Sequence, residues 1–409
     1  MPGPVKSYDF PDTGSQERLE PQEEMIPTDT DDKKLFIGIP KESTLKENRV
    51  ALVPSAVSTL VDNGHRVVVE SEAGEKSNFS DSDYSEAGAE IAHDRESVFK
   101  ADVLIKVAPP TMEEAEWLHS GQLLISPLQI PVVTKEYLLK LKQKRVIAIA
   151  MEYLQDQDGT FPLVRIMSEI AGYSAILKAA ELLTISSGGN GILLAGISGV
   201  PPAKVVILGA GVVGEFATRT ALGLGAEVCI FDNNIYKLMR IQNRIGRQVY
   251  TSALNPVYLE KELLDADAVI GAIHSESGRS PMVVTEEMVM KMKAGTVIID
   301  VSIDQGGCVE TSKITVQDNP TYTVHDVIHY CVPNIASNVA RTASIAVSNI
   351  MTPLLLRAGE TKNIEQLLYL NSGLRHGVYI YKGTLTNEYL GQQFDIKCTD
   401  LDLLITSNL

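Results

Sequence analysis

From Leu35 onward the chain alternates short β-branched runs with amphipathic segments. LFIGIP (35–40) is followed by PSAVSTLVDNG (54–64), HRVVVE (65–70) and DYSEAGAEIA (83–92), then by DVLIKV (102–107), QLLISPL (122–128), VTKEYLLKLKQK (133–144) and RVIAIAM (145–151). Apolar runs of about four to eight residues bounded by Gly or Pro read as buried strands, and the stretches between them have helical spacing. Such repetition predicts a mostly parallel sheet covered on both faces, an α/β fold. A helical stretch, SEIAGYSAILKAAELL (168–183), then leads through the Gly-rich SSGGNGILLAGISGVPPAK (186–204) into a second series. Its strands are predicted at VVILG (205–209), EVCIFD (227–232), AVIGAI (268–273) and TVIIDVS (296–302), and SNVARTASIAVSNIMTPLLLRA (337–358) reads as one long, largely buried helix.

Length and charge narrow the class. A chain of 409 residues holds two or three domains at roughly 100–200 residues each. With 36 Lys+Arg against 52 Asp+Glu the net charge is −16, which argues against nucleic acid or an anionic membrane surface as the main partner and for a small ligand. The charge is uneven: residues 1–32 carry nine acidic side chains against Lys6 and Arg18, with five prolines. That composition cannot offset its ordering entropy, so an acidic, disordered arm is expected there, with the folded chain starting near Lys33. Four scattered cysteines form no CxxC pair, which points to reduced thiols rather than a metal knuckle or disulfide framework. No apolar run of about 18 residues escapes a charge, proline or polar break, and no signal pattern opens the chain. A cytoplasmic protein is expected.

GAGVVG, with Gly209, Gly211 and Gly214, directly follows the strand VVIL and opens a helical pattern. The first glycine permits a tight turn, the second lets backbone approach a pyrophosphate, and the third allows helix to pack on strand. Asp232 ends the next strand, where an acid accepts from both ribose hydroxyls and repels a 2′-phosphate. NAD is therefore the expected cofactor. Lys237 and Arg240 keep NADP as an alternative, and a glycine turn without a cofactor is the bland one.

Three charged residues stand at predicted strand ends, where open α/β sheets collect their functional groups. Arg49 lies in KESTLKENRVALVP, and Lys106 closes DVLIKV. A lysine in an apolar strand must either reach outward or be held by an anion. A carboxylate-bearing substrate suits it, with Arg49 as a second clamp; ordinary surface charge is the equal alternative. Asp304, beside Gly306 and Gly307 in IDQGGCVE, suits a general base or an ammonium anchor, or simply caps a turn. His325 and His329 titrate in the right range but are as readily structural.

Taken together, IGIPKES, ENRVALVP, EAGEKS, LIKVAPP, MSEIAGYSA, VVILGAGVVG, IDVSIDQGGCVE and HDVIHYCVPN resemble, in order and from about Leu35 to Leu356, the superfamily of alanine dehydrogenases and proton-translocating transhydrogenase α-subunits. The compact QDQDGTFPLVRIMSEIAG (155–172), Asp304 and HDVIHYC favour the alanine dehydrogenase branch. The resemblance implies two Rossmann-like doubly wound domains around an active-site cleft: a substrate domain over 33–165 plus 341–409, and an NAD-binding domain over 166–340. It implies that Arg49 and Lys106 bind the substrate's carboxylate and carbonyl, that Asp304 assists proton transfer, and that Ser168, Asp232, Lys237 and Asn334 join the glycines at NAD. The reaction implied is reversible oxidative deamination of L-alanine to pyruvate and ammonia, in a homo-oligomer, hexamer or dimer, without membrane or nucleic-acid partner. Two departures stand out. Gln129 occupies the place of the family's catalytic histidine, and an amide hydrogen-bonds but cannot titrate. The loop AIHSESGRSP (272–281) is also recast. A dehydrogenase for another amino or oxo acid, and a non-catalytic NAD(H)-binding or transhydrogenase-like subunit, are the alternatives.

Overall fold

The computed structural model describes residues 34–44, 46–129, 133–275, 278–361 and 363–406; the expected acidic arm over 1–32 lies outside them. Two sheets organise the chain. The first has eight strands: β1 (Phe36–Ile39), β2 (Arg66–Glu70), β3 (Glu90–Ala92), β4 (Val103–Ile105), β5 (Leu123–Ser126), β6 (Ile147–Ala150) and, far along the chain, β14 (Val378–Tyr381) and β15 (Thr384–Leu385). The second has seven: β7 (Lys204–Leu208), β8 (Glu227–Phe231), β9 (Tyr250–Ser252), β10 (Ala268–Gly271), β11 (Val297–Asp300), β12 (Thr321–Val324) and β13 (Val327–Tyr330).

Their spatial orders are β15-β14-β6-β5-β4-β1-β2-β3 and β12-β13-β11-β10-β7-β8-β9. The six parallel strands of each sheet thus run 3-2-1-4-5-6, the doubly wound order, with antiparallel strands added at one edge. The predicted strand runs fall within these sheets because their residues are buried on both faces, as at Val205–Leu208 and Ile298–Ile299. In this order the switch point lies between the first and fourth strands. In the first sheet that is the gap between β1 and β4, which Arg49 and Lys106 follow in sequence; in the second it is the gap between β7, carrying the glycine turn, and β10.

Two long helices join the lobes. Pro162–Leu182 packs on the glycine-turn helix Val212–Gly223, where Gly172 permits close approach: a Cβ there would meet Val213 O at 2.6 Å. The boundary expected at 165/166 falls inside this continuous helix. The other, Ala340–Gly359, contains Pro353 and buries Ser344, Val347, Ser348, Met351 and Leu355 in the core of the first lobe. The stretch Ile335–Gly359 is long and apolar enough to span a bilayer, but its buried stripe is accounted for by that core.

Candidate active site

The segment 47–53 leaves β1 without a strand partner, so its amides need other acceptors. Helix Ala340–Gly359 and the turn before it supply them through a row of hydroxyls. Asn48 N–H donates to Ser337 Oγ (3.1 Å), Val50 N–H to Ser344 Oγ (2.9 Å) and Val53 N–H to Ser348 Oγ (2.9 Å). Arg49 is thereby buried on a backbone tied to that helix on both sides. Its Nε and Nη2 donate to Glu47 Oε1 (2.8 Å) and Oε2 (2.7 Å), a bidentate fork, and Nη1 reaches Met167 Sδ at 3.2 Å. Three of a guanidinium's five N–H groups are used in this way, which leaves two for a ligand. Burial opposes charge on both partners, but their attraction wins: Glu47 is held below the usual carboxylate range and Arg49 above its ordinary value.

Glu47 also ties the lobes together. Its Oε2 accepts from Asn334 Nδ2 (2.7 Å) and its Oε1 from Ser337 Oγ (3.1 Å). Asn334 stands in the left-handed region at φ 55° and donates its backbone N–H to Asp304 Oδ1 (2.9 Å). Arg49, Glu47, Asn334 and Asp304 are one connected chain from the first lobe to the second. Asp304 sits on the short turn Val301–Gln305 after β11, anchored below by Asp300, whose carboxylate accepts from Ser312 Oγ (2.7 Å) and Cys308 N–H (3.0 Å). Asp304 is open to water on one side and crowded by protein on the others. That crowding pushes its carboxyl up, against the pull of the Asn334 N–H and Arg49. Gln305 clamps the recast loop, accepting from Ser275 N–H at 2.9 Å.

Lys106 is fully buried just past β4. The anion that its place in an apolar strand demands is supplied by the protein itself: Nζ lies 2.9 Å from Glu42 Oε2, in an ion pair poorly angled for a hydrogen bond, and 3.6 Å from Glu114 Oε2. Glu42 Oε1 accepts Val107 N–H (2.7 Å) and Glu114 Oε1 accepts Arg95 Nη1 and Ser43 Oγ, each at 3.0 Å. Burial raises the Glu42 carboxyl, with Lys106 opposing. Neither Glu42, in the KES run, nor Glu114, in MEEAEW, is marked as buried by its local spacing. The one signal for them was the apolar setting of Lys106, which required a buried counter-charge without saying where in the chain it lies.

Gln129, half-buried, holds φ 50°, a strained conformation for this residue type. Glu152, in the turn Met151–Tyr153 after β6, fixes it there: its Oε1 accepts the N–H groups of Leu128 (2.8 Å) and Gln129 (3.1 Å). The two histidines singled out in sequence are both hydrogen-bonded within the second lobe. His329 is buried on β13 between Thr311 Oγ1 (2.8 Å) and Val327 O (3.0 Å), and His325 pairs with Glu286 at the β12–β13 turn.

The glycine turn fits a dinucleotide. Gly209 adopts φ 110°, and a Cβ there would meet Ala272 O at 2.3 Å; at Gly214 it would meet Gly209 O at 1.9 Å. At Gly211, by contrast, a Cβ would enter open space, the approach a pyrophosphate requires at the first amides of helix Val212–Gly223. Asp232 Oδ2 accepts Ala210 N–H and Oδ1 accepts Asn234 N–H, both at 2.7 Å; each oxygen keeps a lone pair for a ribose hydroxyl. Arg240 is committed to Ala210 O (3.0 Å). Lys237 lies half-buried in the first turn of Ile235–Ile245, its N–H capped by Asn234 Oδ1 (3.1 Å). Ser168, half-buried, follows the Arg49 contact Met167 on helix Pro162–Leu182.

Comparison with known proteins agrees along nearly the whole chain. Residues 38–171 match the family model described as alanine dehydrogenase/PNT, N-terminal domain, and 175–388 the corresponding C-terminal domain. Alanine dehydrogenase 2 of Staphylococcus aureus (strain USA300) is 42% identical over 363 residues, 88% of this chain and 97% of that protein. A solved L-alanine dehydrogenase superposes with TM-score 0.83 at 36% identity, covering 88% of this chain and 99% of that one. A transhydrogenase from Sinorhizobium meliloti gives 0.74 at 25% identity, covering 86% and 99%.

Proposed function

The chain belongs to the alanine dehydrogenase/PNT family, and from that premise we propose that it is an NAD-dependent amino-acid dehydrogenase that interconverts L-alanine with pyruvate and ammonia. One observation carries the reading: two buried cations, Arg49 and Lys106, stand beyond adjacent strands of one sheet, and Arg49 lies within electrostatic reach of Asp304 on the other. A small amino or oxo acid has the complementary groups.

In this reading Arg49 takes the substrate carboxylate with its two remaining N–H groups, and Lys106 polarises the carbonyl or carbinol oxygen. Asp304 takes and returns a proton at the reacting oxygen or nitrogen, and Gln129 donates or accepts a hydrogen bond there. The turn 209–214 would hold the pyrophosphate and Asp232 the adenosine ribose, with Ser168, Lys237 and Asn334 lining the rest. When bound, NAD supplies the hydride acceptor. The substrate lobe comprises 33–165 plus 341–409 and the nucleotide lobe 166–340, and closure between them excludes water. Exposed Leu177, Ile185, Leu193 and Ile197 support self-association, and four free cysteines support a reducing, cytoplasmic setting.

The test is direct. Purified protein with NAD and L-alanine, or with NADH, pyruvate and ammonium, is expected to change NADH absorbance; no change with any small amino or oxo acid overturns the reading. A related substrate is the second reading, and Gln129 favours it, because the group expected to titrate there cannot. A panel of oxo acids separates the two.

A further inference from the structure

One stretch of this acidic chain reverses its charge. Between Phe216 and Tyr250 stand Arg219, Lys237, Arg240, Arg244 and Arg247 against only Glu227 and Asp232, in a protein of net charge −16. The fold gathers three of these cations around one buried carboxylate, Glu215 of helix Val212–Gly223. Arg244 Nη1 donates to its Oε2 at 2.8 Å and Arg219 Nη2 to its Oε1 at 3.4 Å, while Arg240 Nε lies 4.0 Å from Oε2. Arg247, just past helix Ile235–Ile245, donates Nη2 to Leu222 O (3.1 Å) and pairs with no carboxylate among the described residues.

Arg219, Arg244 and Arg247 line a cavity of about 350 Å³, together with Leu222, Gly223 and Ile245. Each of the three spends one N–H group on the protein, and a guanidinium has five, so most of their donors are left for a ligand. Arg219 also lies over the Phe216 ring at 5.1 Å, which favours one orientation of its plane. Cations at helix C-termini need no ligand in themselves, and Arg247 covers one such carbonyl. The ends of the two helices, however, count for only about half a negative charge each. With Glu215 they offset roughly two of the four guanidinium charges, which leaves an excess of about two. Water screens part of that repulsion, and an anion with several oxygens relieves it directly through charge-assisted hydrogen bonds.

We propose that this cavity is a binding site for a small phosphate-bearing anion, separate from the dinucleotide site. From Gly211 to Gly223 the helix rises about 18 Å at roughly 1.5 Å per residue, so phosphates at the glycine turn and an anion here are different ligands. A carboxylate has two oxygens and is satisfied by one guanidinium fork, whereas a phosphate offers three or more to arginines at three positions. The volume is at the low end of small-molecule sites, roughly 300–1,000 Å³. Leu222 and Ile245 give the cavity an apolar wall for the body of an ester. The site needs no dehydrogenase activity, so it stands or falls apart from that reading.

Isothermal titration calorimetry of the whole chain tests the site, with pyrophosphate and glycerol phosphate as probes and NADH saturating, so that the glycine turn is already filled. One saturable site per chain is expected; tighter binding of glycerol phosphate supports an ester as the ligand, and tighter binding of pyrophosphate a free polyphosphate. Arg247→Gln and Arg219→Gln are each expected to weaken that binding about tenfold or more, because each removes charge-assisted hydrogen bonds, while NADH affinity stays within about twofold of wild type. Arg66→Gln, an exposed arginine of the first lobe paired with Glu90, is expected to bind the probes as wild type does. Arg247 gives up only its bond to Leu222 O and Arg219 a long one to Glu215, so if one variant fails to fold the other carries the test. No saturable binding of either probe, binding that survives both substitutions, or an equal loss in Arg66→Gln overturns the proposal. If NADH does not bind at all, the dinucleotide reading fails and the arginine variants still decide this one.

Discussion

Arg49 and Glu47 illustrate how one pair serves both stability and binding. The carboxylate is nearly enclosed and takes the guanidinium as a fork, while also receiving Asn334 and Ser337. Glu47→Gln leaves Arg49 buried without its counter-charge, and breaking a buried pair from one side costs about 3–5 kcal/mol. Urea denaturation is expected to show a loss of that order, and the KM for alanine is expected to rise because the guanidinium is no longer aimed. The sign with pH follows from linkage. Glu47 is held below its unfolded value, so its contribution is present above the unfolded pKa and lost as pH falls through the folded one. The gap in stability between wild type and Glu47→Gln should therefore shrink on acidification.

At the scale of elements, the strand–turn–helix of residues 204–223 separates fold from binding. Gly214→Ala drives a Cβ into Gly209 O and is expected to lower both Tm and NADH affinity. Gly211→Ala places its Cβ in open space at an ordinary negative φ; Tm should stay near wild type while NADH affinity, read by fluorescence titration, falls about tenfold or more, since only the phosphate approach is blocked. A Gly211→Ala variant with wild-type NADH affinity would show that the turn is not a phosphate cradle. This unit was legible in sequence because every signal in it is local: a buried strand, three glycines and Asp232 one strand later. The first lobe was legible as strands and helices for the same reason. Its charges were not. Lys106 finds Glu42 across 64 residues, and Val50 and Val53 find Ser344 and Ser348 across nearly 300. No spacing within a window encodes such pairs; only the sheet order, which brings β1 beside β4, does.

Among the described residues, the polar contacts that join the two lobes near the cleft include Glu47 with Asn334 and Ser337, Asn48 with Ser337, and the Lys46–Asp318 ion pair. Asn334 is the joint among them, since its side chain belongs to the first lobe's network and its backbone N–H to Asp304. Two substitutions separate these roles. Asn334→Gly tolerates the left-handed backbone and deletes only the Nδ2 bond to Glu47; Asn334→Ala deletes the same bond and adds about 1–2 kcal/mol of backbone strain. If the bridge sets how the lobes close, both variants lower kcat/KM for alanine, because Arg49 and Asp304 lose their common reference. Both should leave the Asp232 end of the nucleotide site as it is, so that the adenosine half still binds as in wild type. Small-angle scattering with and without NADH would then show a larger radius of gyration for the liganded variants than for liganded wild type. If the variants instead scatter as wild type does and keep its kcat/KM, closure depends on other contacts and Asn334 serves only the local turn.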